Sequence, residues 1–238
     1  MIVIETEIAI TWTLRLVSVC ILIDTFEKLA RIREYTGGGL LSWGWLEQFV
    51  GFRERRAPIR GFASFFFGAR IWIPLICLRG VASAGLLIWT PKGTAAILPL
   101  FVIFVVGSLE NYRRLPYFPE VPNRFALPII GALLLQSLVP SQIVTNAVLW
   151  FIAIQSCLSY ATAGFSKLFN KDWRTGVAIQ TASNSVYYFT SANVAKFIDR
   201  SPTAARLVTY SILLIECVFP LVLVVGSPFY LFFLVWGV

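Results

Sequence analysis

Apolar positions along this chain gather into seven runs separated by polar punctuation: residues 8–30, 62–89 (strongest over 71–89), 94–109, 125–139, 142–165, 207–225 and 229–238. A helix that crosses a bilayer needs about 20 consecutive apolar residues, within a range of about 17–25. The first, second, fifth and sixth runs meet that length. The third and fourth are shorter and read as thin or tilted pieces packed inside a bundle. The seventh is too short to cross, and the chain reads as ending in mid-segment. The pattern predicts an all-α, polytopic transmembrane bundle: about six spans plus a partial last helix, in one domain over residues 1–238.

The punctuation supports these limits. Ser201-Pro202 sets a capping side chain before a proline at the first helical position, and Ser227-Pro228 repeats the device. Pro140-Ser141 implies a tight hairpin, and three glycines at 37–39 mark the first loop. There is no repeat with a period of 20–50 residues, which excludes solenoids and propellers. Glu5 and Glu7 precede the first run where a signal peptide would carry Lys or Arg, so that run reads as a retained helix.

Composition narrows the class further. Hydrophobic residues are 58% of the 238 and charged residues 13%; the mean hydropathy is +0.77. A soluble fold of this size has too little interior to hide that much apolar surface, and disorder is excluded by the same numbers. The net charge of +8 is better read as basic loops facing anionic headgroups than as a nucleic-acid surface, so the partner expected first is the lipid bilayer. Basic residues crowd the first, third and fifth loops and are sparse in the others. The positive-inside rule then places the N-terminus outside, in the cytoplasmic (inner) membrane of a bacterium.

The absence of histidine removes Ser–His and Cys–His nucleophiles and His-ligated zinc or haem. Cys20, Cys77, Cys157 and Cys217 lie in apolar runs without paired spacing, so no metal site is expected. Any catalysis must run on Lys, Asp, Glu, Tyr, Cys or backbone groups.

Four charged residues fall inside or beside the apolar runs: Arg15, Arg79, Lys167 and Glu216. An ionised group near the bilayer centre costs about 2.5–3.5 kcal/mol on insertion scales. Two readings stand. Glu216 pairs with Arg79, Arg15 or Lys167 to hold helices in register, or these groups build a polar site in the bundle interior. Asp24 and Lys28, four residues apart, read as a local ion pair. The densest cluster runs from Tyr160 through Gly164, Lys167, Lys171, Asp172 and Trp173 to Gly176 and Ala178. The spacing sets Tyr160, Gly164, Lys167 and Lys171 on one helical face. Gly164 suits close approach of another backbone. Lys167 and Trp173 read either as an interfacial anchor, with Asp172 capping the next turn, or as a partly desolvated lysine that acts as a base or binds an anion.

The pattern Tyr160…Gly164-x-x-Lys167-Leu168-x-x-x-x-Trp173-x-x-Gly176-x-Ala178 resembles the signature of HTTM domains, the group related to vitamin K-dependent gamma-glutamyl carboxylase. Leu14-Arg15-Leu16-Val17…Asp24 resembles that family's first helix, and Glu216-Cys217-Val218-Phe219-Pro220 its Glu-x-x-x-Pro helix. Lipase maturation factors and the membrane proteins of sporulation-delaying toxin maturation look like more distant relations. The resemblance covers nearly the whole chain and implies a polytopic helical bundle. It implies two functions: a part in maturation or export of a secreted peptide, with a peptide or protein partner, or a carboxylase-like enzyme using a lipophilic quinol. In the carboxylase a lysine in the equivalent motif deprotonates the reduced vitamin, and that role maps onto Lys167. The catalytic candidates are Lys167, Glu216 and Tyr160; the substrate-binding candidates are Trp173, Arg79 and Arg15. The chain departs from the carboxylase in having no histidine and no large non-membrane region.

Overall fold

A computed structural model describes residues 2–36, 38–39, 41–49, 57–91, 93–114, 121–184 and 192–221. The described residues form eleven α-helices and three short 3-10 segments. They are α1 (Ile2–Ala30), α2 (Trp43–Phe49), α3 (Ala57–Phe67), α4 (Ala69–Trp89), α5 (Ile97–Arg114), α6 (Val121–Leu138), α7 (Gln142–Phe169), α8 (Lys171–Thr175), α9 (Val177–Ser183), α10 (Ala192–Arg200) and α11 (Pro202–Val218). Five stretches are long and apolar enough to cross a membrane: Thr6–Ala30, Ala69–Trp89, Gly93–Arg113, Gln142–Phe169 and Pro202–Leu221. Phe125–Leu138 is apolar but shorter. At most a third of the most apolar part of each spanning stretch is buried, and large apolar side chains such as Ile143, Val81 and Ile88 stand exposed. Water would not tolerate that outer face, whereas lipid solvates it. The protein is an integral membrane protein with an all-helical bundle fold.

Two segments differ from the pattern read in the sequence. The run at 62–89 is broken at Gly68, which is extended (φ −62, ψ 149) and starts α4. The run at 94–109 is longer than its apolar stretch: the helix continues to Arg114. It does so because Glu110 and Arg113, which look like loop residues, are both buried with partners. The segment at 229–238 and Ser227-Pro228 lie outside the described residues. The other punctuation is present. Ser201 accepts a hydrogen bond from the Ala204 N–H, with Pro202 at the start of α11. Ser141 opens α7 by accepting from the Val144 N–H.

The chain divides into two compact units, residues 1–152 and 153–238. The core of the first is Ile10, Leu14 and Ile21 of α1, Leu86 of α4, Leu100 and Ile103 of α5, Ile129, Ile130 and Leu133 of α6, and Val148 of α7. A second apolar cluster joins Tyr35, Trp43, Leu46, Ala63, Phe67, Trp72 and Ile76. Beside it Arg113 lays its guanidinium over the rings of Tyr35 (5.2 Å) and Trp72 (5.0 Å). Its Nη2 donates to the Leu41 carbonyl oxygen at 2.6 Å. The planar, delocalised cation is the side chain suited to such a stacked, desolvated seat.

The first unit is tied by a ring of four charges on three helices. Lys28 Nζ of α1 lies 2.5 Å from Asp24 Oδ2 and 2.8 Å from Glu110 Oε1 of α5. Arg79 of α4 closes the ring, donating to Glu110 Oε2 at 2.9 Å and to Asp24 Oδ2. Its Nη2 also reaches Thr25 Oγ1 at 3.4 Å. Arg79 and Glu110 are each 1% exposed, so neither charge can be screened by water. Two cations and two carboxylates sum to zero, and each carboxylate faces both cations. Unpaired in lipid, four such groups would cost on the order of 10 kcal/mol.

Removing one member leaves its neighbours uncompensated. Arg79→Met is expected to destabilise the detergent-solubilised protein by about 3–5 kcal/mol, read as the shift in its unfolding midpoint. The double variant Arg79→Met/Glu110→Met leaves the neutral Asp24–Lys28 pair and is expected to recover most of that loss.

Candidate functional site

The site candidates of the second unit come together where α7 meets α11. Gly164 sets the separation. A Cβ there would sit 2.9 Å from Cys217 Sγ, 3.0 Å from Glu216 Cβ and 3.1 Å from the Cys217 backbone nitrogen. The last is main chain and cannot step aside, so only glycine permits this approach. One turn further along α7, Lys167 then reaches Glu216, and Nζ forms an ion pair with Oε1. The lysine also lies over the Trp173 ring, 4.7 Å from its centroid. Tyr160, one turn before Gly164, stacks on Phe219, one turn after Glu216, with centroids 4.3 Å apart and planes 25° apart.

Trp173 is carried to the lysine by a chain reversal with its own local logic. α7 stops at Phe169, and Asn170 caps α8 by accepting from the Asp172 N–H at 2.8 Å. Gly176 ends α8 in the left-handed region (φ 84). A Cβ on Gly176 would meet the Arg206 nitrogen at 3.0 Å and Ala205 at 3.1–3.2 Å. Positive φ and close approach both call for glycine here. Arg206 Nε donates to the Thr175 carbonyl oxygen at 3.3 Å, pinning α8 to α11. The chain from Gly164 to Gly176 thus tracks α11 backwards, from Cys217 to Ala205.

That path fixes where the pair sits. Glu216 lies fourteen residues beyond Pro202, the first residue of α11, a rise of about 21 Å. The basic residues Lys196, Arg200 and Arg206 cluster at the start of α11. Lys167 is therefore held well along the spanning helix and takes its partner there. Glu216 is 8% exposed, and its second oxygen, Oε2, is buried without a hydrogen-bond partner. A carboxylate offers only acceptors when ionised, so the pair leaves one acceptor unfilled.

The other candidates are placed as follows. Of the three cations considered for Glu216, Lys167 is the one paired with it. Arg79 belongs to the charge ring of the first unit, and Arg15 lies over the Trp12 ring at 5.5 Å. Two local expectations are corrected. Lys171 is not on the face of α7, because that helix ends at Phe169 and Lys171 begins α8. Asp172 does not cap α8; Asn170 does, because its side chain precedes the turn and reaches the Asp172 N–H. Glu110 and Phe219 were not singled out in the sequence. Glu110 had one usable signal: it directly follows an apolar run long enough, with it, to span. Phe219 stands three residues beyond Glu216, the spacing of one helical face, but nothing in its residue type marks it.

Comparison of the chain with protein-family models, curated protein sequences and solved structures finds no match.

Two outcomes test that geometry. A double-mutant cycle on Lys167→Met and Glu216→Gln is expected to give a coupling of about 0.5–3 kcal/mol in unfolding free energy; introducing Gly164→Val should abolish it by spreading the two helices. Gly176→Ala is expected to cost about 1 kcal/mol or more, measured by thermal unfolding in the same detergent.

Proposed function

We propose that this integral membrane protein is of the HTTM kind, and that its second unit receives a lipophilic quinol-like molecule at Lys167 and Glu216. The observation that carries the reading is the part-buried Lys167–Glu216 ion pair set against aromatic faces, Trp173 on one side of the lysine and the Tyr160–Phe219 stack along the same helices. An apolar surrounding with a few convergent polar groups is what an amphiphilic ring compound requires. The donor set fits: Glu216 Oε2 is a buried acceptor without a partner, and Lys167 offers a cation beside it.

A bound quinol would supply a hydroxyl group and two electrons. The chain's own part is to bind and to manage charge. Trp173, Tyr160 and Phe219 provide flat apolar surfaces. Lys167 holds a positive charge where an anionic oxygen would be stabilised, and Glu216 balances that charge when the site is at rest. Partial burial reduces screening by water and strengthens each of these interactions.

The test is native mass spectrometry of the protein extracted from its own membrane. A quinone-type adduct is expected on the wild type and absent from folded Lys167→Ala. Recovery of a peptide adduct in its place would favour the other role that the resemblance implies, maturation or export of a secreted peptide. Retention of the quinone by Lys167→Ala would remove the site from the proposal.

A further inference from the structure

Arg15 is the intramembrane cation that neither charge cluster absorbs. It lies in α1, nine residues beyond the start of the spanning stretch Thr6–Ala30 and fifteen before its end, or about 13 Å and about 22 Å along the helix axis. Long cationic side chains near helix ends reach back to the headgroups; Arg15 stands far from either end. Ile8, Trp12, Arg15, Val19, Ile23 and Phe26 follow one another at spacings of four, three, four, four and three, which is one helical face. Ile8, Trp12, Ile23 and Phe26 are exposed, and Arg15 and Val19 are part-exposed. The cation therefore sits in the middle of an apolar stripe turned outward, away from the buried face that carries Leu14, Ser18, Ile21 and Thr25. Among the described residues its guanidinium meets no carboxylate and lies over the Trp12 ring, 5.5 Å from the centroid. Five carboxylates fall in the spanning stretches: Glu7, Asp24, Glu27, Glu110 and Glu216. Asp24 and Glu110 share Lys28 and Arg79, Glu216 holds Lys167 and Glu27 pairs with Arg31. Glu7 stands at the end of its stretch, about 12 Å from Arg15 along the axis. The chain has none left for Arg15.

The geometry points to the outward face of α1 as a docking surface for a membrane-spanning helix of a second protein, one that presents an Asp or Glu side chain to Arg15 in mid-span. Charge complementarity selects that occupant. An ionised group at such depth is matched by another charge or lines a polar cavity, and the surroundings of Arg15 on this stripe are apolar. The planar guanidinium offers a fork of donors that fits a carboxylate with two parallel hydrogen bonds, and stacking on Trp12 leaves the edge of that fork open to a neighbour. The apolar residues above and below supply the packing surface along which a helix would lie. A second copy of this chain does not meet the need: it brings the same committed carboxylates, and a symmetric contact through this face would set one Arg15 against another. The surface belongs to the first unit and does not involve the Lys167–Glu216 pair, so the inference is independent of the quinol reading.

The experiment reconstitutes the full chain in phosphatidylcholine vesicles and measures, by energy transfer, its association with dye-labelled leucine helices of about 20 residues that carry Glu, Gln or Leu at the central position. A central residue meets mid-span whichever way the peptide inserts. The wild type is expected to bind the Glu helix about tenfold more tightly than the Leu helix, the scale of a polar contact between helices in a bilayer, and more tightly than the Gln helix, which has the shape without the charge. Arg15→Leu continues the apolar stripe, and its preference should fall to within about threefold. Equal binding of the three helices by the wild type, or binding of none, would overturn the proposal. An undiminished preference in folded Arg15→Leu would overturn the assignment to Arg15. Native mass spectrometry separates the competing occupant: a phosphatidylglycerol carried from the native membrane by the wild type and lost in Arg15→Leu, with no preference among the helices, would show that a lipid phosphate serves the cation and would also overturn the proposal. The wild-type comparison decides the matter even if the variant fails to fold.

Discussion

A carboxylate carried into the apolar interior of this protein has to be matched by a cation of the chain itself, because lipid offers nothing in place of water. That constraint organises both units. In the first, Asp24, Lys28, Arg79 and Glu110 form a ring across α1, α4 and α5. In the second, Lys167 and Glu216 join α7 to α11. Apolar packing alone gives little preference for one helix neighbour over another in a bilayer, since lipid tails are as apolar as Leu. Charge pairing and close glycine contact supply the selectivity.

The two arrangements differ in completeness. In the ring, each carboxylate faces two cations. In the second unit, one cation faces one carboxylate, and a buried oxygen is left over. A fully balanced network suits a joint that keeps its shape. The Lys167–Glu216 pair is equally balanced in charge but joins two segments rather than three. The glycines follow the same division of labour: Gly164 and Gly176 set how near α11 comes to the chain that carries Lys167 and Trp173.

Much of this was legible in the sequence. Length, hydropathy and punctuation were sufficient for an all-helical membrane bundle, and Ser201-Pro202 and Pro140-Ser141 marked helix starts that the structure has. The cluster from Tyr160 to Gly176 was also visible, with Gly164 read correctly as a point of close approach. What could not be read was partnership. Three cations were open to Glu216 on sequence grounds, because pairing across 49 residues depends on how helices pack rather than on spacing. The end of α5 was missed for a related reason: Glu110 looks like a loop residue until the cations of α1 and α4 are placed around it. Asn170 and Asp172 were hard to tell apart as caps, since both are good capping residues and only the position of the helix end decides between them.

The charge ring also bears on how the chain enters the bilayer. α1 brings Asp24 and Lys28 together as an i,i+4 pair, so these two charges cancel before any other helix is present. α4 and α5 follow each other in the chain and carry Arg79 and Glu110, which also cancel within that hairpin. Each of these two pairs is neutral on its own. Lateral docking then lets them exchange partners, so none of these four charges has to wait for another piece of the chain before it is matched.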